Sequence, residues 1–278
     1  MEKYTVNKVL SNNVVLAEKD NQNYILVGKG IGFSKKKGHL LENPRIDEKF
    51  ISLKGLDEDE KENFINQIDP KVIELVKEIV EMVKKDLGEE LNPNTYLGFA
   101  DHINFAIQRL KEGIEIVNPF LTETKFLYPE EYSLAEKAVM ILSHGLDISI
   151  PEAEIGFLAL HIYGGRGEKN KMEALEKSKL MRDILDFVEK TLRVNLDRNS
   201  FICQRFILHL KGVISRVNEN KNIENILMSK LKFELRKEIA VATEIGKIIE
   251  NTLKCHVSQG EIGYIALHLH KLRGMKNL

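Results

Sequence analysis

The 278-residue chain has two cysteines, no long apolar run and almost no surplus of charge, with 41 Lys+Arg against 42 Asp+Glu. Cys203 and Cys255 form no CxxC and no other zinc spacing, which excludes a zinc ribbon and a disulfide scaffold. Both are expected to be buried and reduced. The longest apolar run, residues 155–160, falls well short of the ~18 residues that a spanning helix needs, so no membrane insertion is expected. The start, Met1-Glu-Lys-Tyr-Thr-Val, lacks the apolar core of a signal peptide, and a cytoplasmic location is the expectation. A hydrophobic fraction of 43% with 30% charged residues is that of a globular chain, and the length suits two or three domains.

The near-zero net charge hides an asymmetry. Residues 1–55 carry ten Lys/Arg and six Asp/Glu, a balance of +4, and the remainder carries −5. A small basic segment joined to a larger acidic body points to a polyanion for one part and another partner for the rest. The alternative is a lysine cluster on a solvated face.

The first 55 residues read as a small antiparallel β-sheet of four strands: Tyr4-Thr-Val-Asn-Lys-Val-Leu10, Val14-Val-Leu16, Tyr24-Ile-Leu-Val27 and Ile31-Gly-Phe33. Ser11-Asn-Asn13, Asp20-Asn-Gln-Asn23 and Gly28-Lys-Gly30 supply the turns. So short a segment hardly closes a core alone, and the sheet is expected to dimerise. Residues 56–64 read as an acidic linker. Beyond them helical periodicity takes over. Asp69-Pro70 is a helix start, followed by apolar residues at 72, 73, 76, 79, 80, 83 and 87. Further helices are expected from Asn94 to Gly113, from Pro129 to Gly145 and from Pro151 to Gly164, with a short one between Pro119 and Leu127.

The helical part is a duplication. Glu154-Ile-Gly-Phe-Leu-Ala-Leu-His161 and Glu261-Ile-Gly-Tyr-Ile-Ala-Leu-His268 agree at six of eight positions. The same offset of 107 pairs Phe99 with Phe206, His102 with His209, Ile107 with Ile214 and Arg109 with Arg216. Further upstream an offset of 105 pairs Leu87 with Leu192 and Asn94 with Asn199. Residues 65–170 and 171–278 are therefore read as two homologous all-α helical-bundle domains. Each copy holds a histidine pair with the same separation: His102 and His161, then His209 and His268. His39, His144, His256 and His270 have no counterpart and read as surface residues.

On one helix face, His102 and Arg109 lie about two turns apart, as do His209 and Arg216. Four readings are open: hydrogen-bonded core histidines, a metal site, acid–base or nucleophilic catalysis, and regulatory phosphorylation. A fixed guanidinium repels a metal ion but matches a phosphate. No HExxH, nucleophile motif, phosphate loop or dinucleotide fingerprint appears, so no metal, no cofactor and no enzyme activity are expected. A neutral imidazole accepts a phosphoryl group near neutral pH, and the added dianion alters its surroundings strongly.

Four strings, taken in order, carry a family resemblance: Lys8-Val-Leu-Ser-Asn-Asn-Val14, Gly28-Lys-Gly-Ile-Gly-Phe33, Asp101-His-Ile-Asn-Phe-Ala-Ile107 and Glu154-Ile-Gly-Phe-Leu-Ala-Leu-His161. The chain resembles, over essentially its whole length, the bacterial sugar-operon transcriptional antiterminators of the BglG/SacY/LicT/GlcT type. These join a co-antiterminator RNA-binding domain to two PTS-regulation domains. The resemblance implies a homodimer that binds a leader-RNA hairpin and prevents termination. It implies control by phosphotransferase-system phosphorylation, from the sugar permease on the first regulatory domain and from HPr on the second. His102 and His161 would be the first phosphorylated pair, His209 and His268 the second. The matching RNA-contact positions are Lys8, Ser11, Asn12, Asn13, Gly28, Lys29, Gly30 and Phe33. Asparagine reads base edges, glycine admits close backbone approach, Phe33 offers a stacking face, and Lys29 with residues 35–37 attracts phosphate. The competing structural readings are a hairpin turn at Asn12-Asn13 and a core position for Phe33.

Ser11 stands where asparagine is common in the family, and Lys29 where several members carry arginine. The second regulatory domain has Leu208-His-Leu-Lys-Gly212 in place of the Asp-His-Ile-Asn-Phe string. Residues 28–33 look somewhat closer to glucose-operon members. A PTS-controlled DNA-binding activator shares the regulatory repeats but would begin with a helix-turn-helix, and a histidine-dependent phosphotransferase or metallohydrolase would need acids or nucleophiles converging on the histidines.

Overall fold

The computed structural model describes residues 2–11, 14–20, 22–46, 48–51, 68–92, 94–167, 169–198, 200–221 and 223–274. The expected linker 56–64, the junction at residue 55, Asn12, Asn13 and Asn199 lie outside the described residues. Two units are formed, Met1–Leu121 with Glu130–Lys171, and Thr122–Pro129 with Met172–Leu278.

The first unit opens with an antiparallel sheet of five strands: β1 (Lys3–Ser11), β2 (Val14–Lys19), β3 (Gln22–Val27), β4 (Leu40–Glu42) and β5 (Glu48–Ile51), in the order β4-β1-β2-β3-β5. This corrects the expected count. Ile31-Gly-Phe33 is not a strand but part of a chain of turns, with Ile31 N–H donating to Gly28 O at 3.1 Å and Phe33 N–H to Gly30 O at 2.9 Å. The two added strands are three and four residues long, too short to show alternation in sequence. A front end of strands and turns among the described residues leaves no place there for a helix-turn-helix. Tyr4, Val6, Val15, Ala17 and Leu26 form the core of the sheet, and the Tyr4 and Tyr24 rings meet edge to face at 5.7 Å. In β1 the apolar residues change parity between Val6 and Val9. A register shift between Val6 and Lys8 accommodates this, so Val6 and Val9 both reach the core.

The first repeat comprises α1 (Pro70–Leu87), α2 (Asn94–Lys111), α3 (Leu121–Leu127), α4 (Pro129–Leu146) and α5 (Glu152–Gly165). Asp69 caps α1 as expected, accepting from Lys71 N–H at 2.8 Å. The second repeat comprises α6 (Lys171–Leu192), α7 (Phe201–Asn218), α8 (Met228–Glu234), α9 (Arg236–Leu253) and α10 (Gln259–Gly274). The starts of α2 to α5 map onto those of α7 to α10 with the offset of 107. The offset also holds in side-chain contacts that the periodicity did not reveal. Asn118 and Asn225 each accept from the backbone N–H two residues on. Arg166 donates to Glu131 and Arg273 to Glu238. Residues 122–129, which include most of α3, pack within the second unit, where Tyr128 Oη donates to Ala174 O at 3.3 Å.

Helix α5 is buried all round, with Phe157, Leu158, Ala159, Leu160 and Ile162 inside the first unit. Any polar side chain it carries must therefore find a partner in the interior. Cys203 is buried as expected, whereas Cys255 is only half-buried, because it follows the end of α9 in a short connection.

Candidate functional site

Each repeat brings its histidine pair together at the meeting of two helices. In the first, His102 on α2 and His161 on α5 have ring centroids 4.8 Å apart. In the second, His209 on α7 and His268 on α10 stack at 4.5 Å with planes 20° apart. A two-helix meeting turns a 59-residue separation into contact.

The partner that sequence reasoning missed is a carboxylate. Glu154 Oε2 lies 2.8 Å from His102 Nε2, and Arg109 Nη2 donates to Glu154 Oε1 at 3.2 Å. His102 is 1% exposed, and Arg109 and Glu154 are buried with it. The carboxylate of Glu154 therefore lies between the guanidinium on one oxygen and the imidazole edge on the other. In the second repeat Glu261 receives Arg216 through two bonds, Nε at 2.6 Å and Nη2 at 3.0 Å. Arg216 is 30% exposed on its side chain, and its histidines are half-buried. Glu154 and Glu261 open the duplicated octet, and that identity at the start of a buried helix was the signal available in sequence.

Burial lowers the pKa of three of these four imidazoles and favours their neutral form. His161 is held well below the ordinary histidine range by desolvation first, then by the charges of Lys171 and His102. His209 is lowered to about 4 by burial and then by Arg216. His268 is lowered to about 4 by burial and then by His209, Lys271 and Arg205. His209 Nε2 is buried with no hydrogen-bond partner among the described residues. The remaining histidines differ: the His256 and His270 side chains are largely exposed, each beside a glutamate.

The RNA-contact positions fall into separate groups. Lys8 is exposed on β1 beside the register shift, and Ser11 ends the same strand, paired with Val14. Asn12 and Asn13 lie outside the described residues. Lys29, Gly30 and Phe33 are exposed in the turns after β3, with Phe33 66% exposed, which removes its reading as a core residue. Gly30 has φ +73 and open space around it. Gly28 is buried instead, and a Cβ there would run into the Arg45 carbonyl oxygen. Its lack of a side chain serves the chain's own packing. The segment is pinned to β1 by Val6 N–H donating to His39 O at 2.8 Å and Gly38 N–H donating to Val6 O at 2.7 Å.

These features match known families. The CAT RNA binding domain matches residues 4–60, and the PRD domain matches residues 54–165 and 182–272. "Protein GlcT" of Staphylococcus saprophyticus is 32% identical over 273 residues, covering 97% of this chain and 97% of that one. "Transcription antiterminator LicT" of Bacillus subtilis is 30% identical over 270 residues, covering 95% and 97%. "GlcA/glcB genes antiterminator" of Staphylococcus carnosus is 33% identical over 277 residues, covering 97% and 96%. A solved structure, "Crystal structure of GlcT CAT-PRDI", is 36% identical, covers 59% of this chain and 98% of that one, and gives a TM-score of 0.37.

Proposed function

The chain belongs to the family that joins a CAT RNA-binding domain to PRD domains, and from that premise we propose that it is a sugar-responsive transcription antiterminator. Its first domain, residues 1–55, forms a homodimer that binds a hairpin in a nascent leader transcript. That hairpin overlaps a terminator, so binding it lets transcription continue. A linker, 56–64, joins this domain to two regulatory domains, 65–170 and 171–278. The protein works in the cytoplasm as a regulator, not as an enzyme. Its protein partners are a sugar permease of the phosphotransferase system, which phosphorylates His102 and His161, and HPr, which phosphorylates His209 and His268.

One observation carries the regulatory half of this reading. Two equivalent sites each bring a pair of imidazoles within 5 Å, beside a Glu–Arg pair. His161, His209 and His268 are held uncharged, and a neutral ring offers phosphorus a lone pair that imidazolium lacks. The second pair is half-open to a donor protein. The first is enclosed, so transfer to it requires the repeat to open. The exposed Lys8, Lys29, Gly30 and Phe33, with Lys36 and Lys37 beside them, supply the charge and the stacking face that an RNA loop needs.

The test is read-through of the leader terminator in a purified transcription reaction. His102→Asp places a permanent negative charge where an inhibiting phosphate would sit, and lowers read-through relative to the unmodified protein. Unchanged read-through contradicts the assigned role of His102.

A further inference from the structure

The contact between β5 and α2 lies next to the first histidine pair and has no part in the function described so far. Lys49 on β5 is 16% exposed on its side chain. Its Nζ lies 3.8 Å from Asp101 Oδ1, 4.8 Å from the centre of the Phe105 ring and 5.3 Å from that of Tyr24. Phe105 packs against the core of the sheet although it belongs to the helical repeat. A lysine on an edge strand ordinarily stays in water and guards the edge. This one is drawn onto a helix by the acid Asp101 and the ring of Phe105, with Tyr24 of its own sheet beside it.

From Phe105 the contacts continue inward. Arg109 Cζ lies 4.5 Å from the centre of the same ring, and Arg109 donates to Glu154, whose other oxygen faces His102. A chain of touching groups thus runs from the His102 imidazole through Glu154, Arg109 and Phe105 to Lys49. The second repeat supplies a comparison within the molecule. It keeps His209, Arg216 and Glu261, yet Leu208 stands at the position of Asp101 and Gly212 at that of Phe105. Arg216 there turns wholly to its glutamate. The two residues that grip the sheet occur only in the repeat that has a sheet to grip.

We infer that Lys49, Asp101 and Phe105 form a latch between the RNA-binding sheet and the first regulatory domain, and that a phosphoryl group on His102 releases it. The inference rests on the reading of His102 as a phosphorylation site. A phosphoryl dianion beside Glu154 places like charges together in an interior that cannot solvate both. Arg109 is the cation within reach, and its fork suits phosphate oxygens. Turning to the phosphate draws it off Phe105 and off Glu154. Asp101, the preceding residue, then faces added negative charge, and Lys49 loses its hold. The sheet leaves the helix, the edge strand β5 is uncovered, and RNA affinity falls.

The test is hydrogen–deuterium exchange of the full chain, read at the backbone amides of residues 48–51, with binding of the leader-RNA hairpin measured on the same samples. Lys49→Glu and Asp101→Lys each speed exchange there about tenfold, and the charge-swapped double variant returns to within about threefold of the parent. RNA affinity follows the same pattern. Were Lys49 merely an RNA contact, the swap would not restore it. Lys49→Met, which keeps the packing of the stem, serves where the charge reversals unfold the domain. Phosphoramidate supplies the phosphate: its P–N bond breaks, a P–N bond to the imidazole forms, and ammonia leaves with the ring proton. With phosphate located on His102 by mass spectrometry, exchange at 48–51 rises as in Lys49→Glu. Exchange unmoved by either the variants or the phosphate overturns the latch, as does His102 refusing phosphate altogether. Failure of every sample to bind RNA would instead overturn the antiterminator reading and leave the exchange result to decide the latch.

Discussion

Glu154 sits at the end of an apolar helix with a guanidinium on one oxygen and an imidazole on the other, and water reaches none of the three. Removing its charge takes the carboxylate away from a buried guanidinium, Arg109. Glu154→Gln should therefore destabilise the first unit by about 3–5 kcal/mol, the range for breaking a buried ion pair. Glu261→Gln should cost less than half as much, because Arg216 is partly solvated and recovers water when its partner is lost. Urea titration, with hydrogen exchange to assign each transition to its unit, checks the ranking. Equal costs would mean that Arg109 finds another partner. The histidines add a pH dependence of fixed sign. His209 and His268 are lowered to about 4 in the fold, against an ordinary value of about 6.5 in the unfolded chain. The unfolded state thus binds protons more readily, and the stability tied to the neutral rings is complete above about pH 6.5 and drains away towards pH 4. The melting temperature of the second unit should fall through that window, and His268→Gln should flatten the fall. A melting temperature that rises on acidification would contradict the burial that keeps the rings neutral.

At the scale of elements, the turns after β3 divide labour among neighbours. Gly28 is closed off against Arg45, whereas Lys29 and Gly30 face solvent. Gly28→Ala should lower stability by about 1–3 kcal/mol, as overpacking does, and weaken RNA binding by disturbing the turn. Lys29→Ala should leave stability within about 0.5 kcal/mol, as for an exposed surface site, and reduce the salt slope of RNA binding by about 1. Thermal melts and RNA titrations at several salt concentrations separate the two, and a Gly28→Ala protein as stable as the parent would contradict the packing against Arg45. These elements also show what was legible beforehand. The α1 cap at Asp69, the order of the helices and both histidine pairs could be read from periodicity and from the internal offset, because each depends on local spacing or on the repeat. The edge strands β4 and β5 could not, being short and held in place by partners rather than by their own alternation. Ile31-Gly-Phe33 looked like a strand by composition, yet both sides of β3 are taken by β2 and β5, and the segment closes successive turns on its own backbone. Glu154 was visible as a repeated residue but not as the partner of His102, since that contact arises only when α5 packs on α2.

At the scale of the molecule, a basic sheet precedes two helical repeats that share one plan but differ in charge, the first acidic with 10 Lys/Arg against 18 Asp/Glu over residues 65–170 and the second basic with 20 against 13 over residues 171–278, and that have diverged where their neighbours differ. Asp101 and Phe105 against Leu208 and Gly212 are the clearest case. The account stands on the first domain being an RNA reader whose grip is set from the repeats. Its most direct test is binding of the full chain to the hairpin of its own operon leader, titrated with salt, against a DNA duplex of the same sequence. The account predicts binding to RNA alone, weakening steeply with salt as several phosphate contacts require, and weakening further in the His102→Asp variant. Binding to DNA and RNA alike, or to neither, would contradict it.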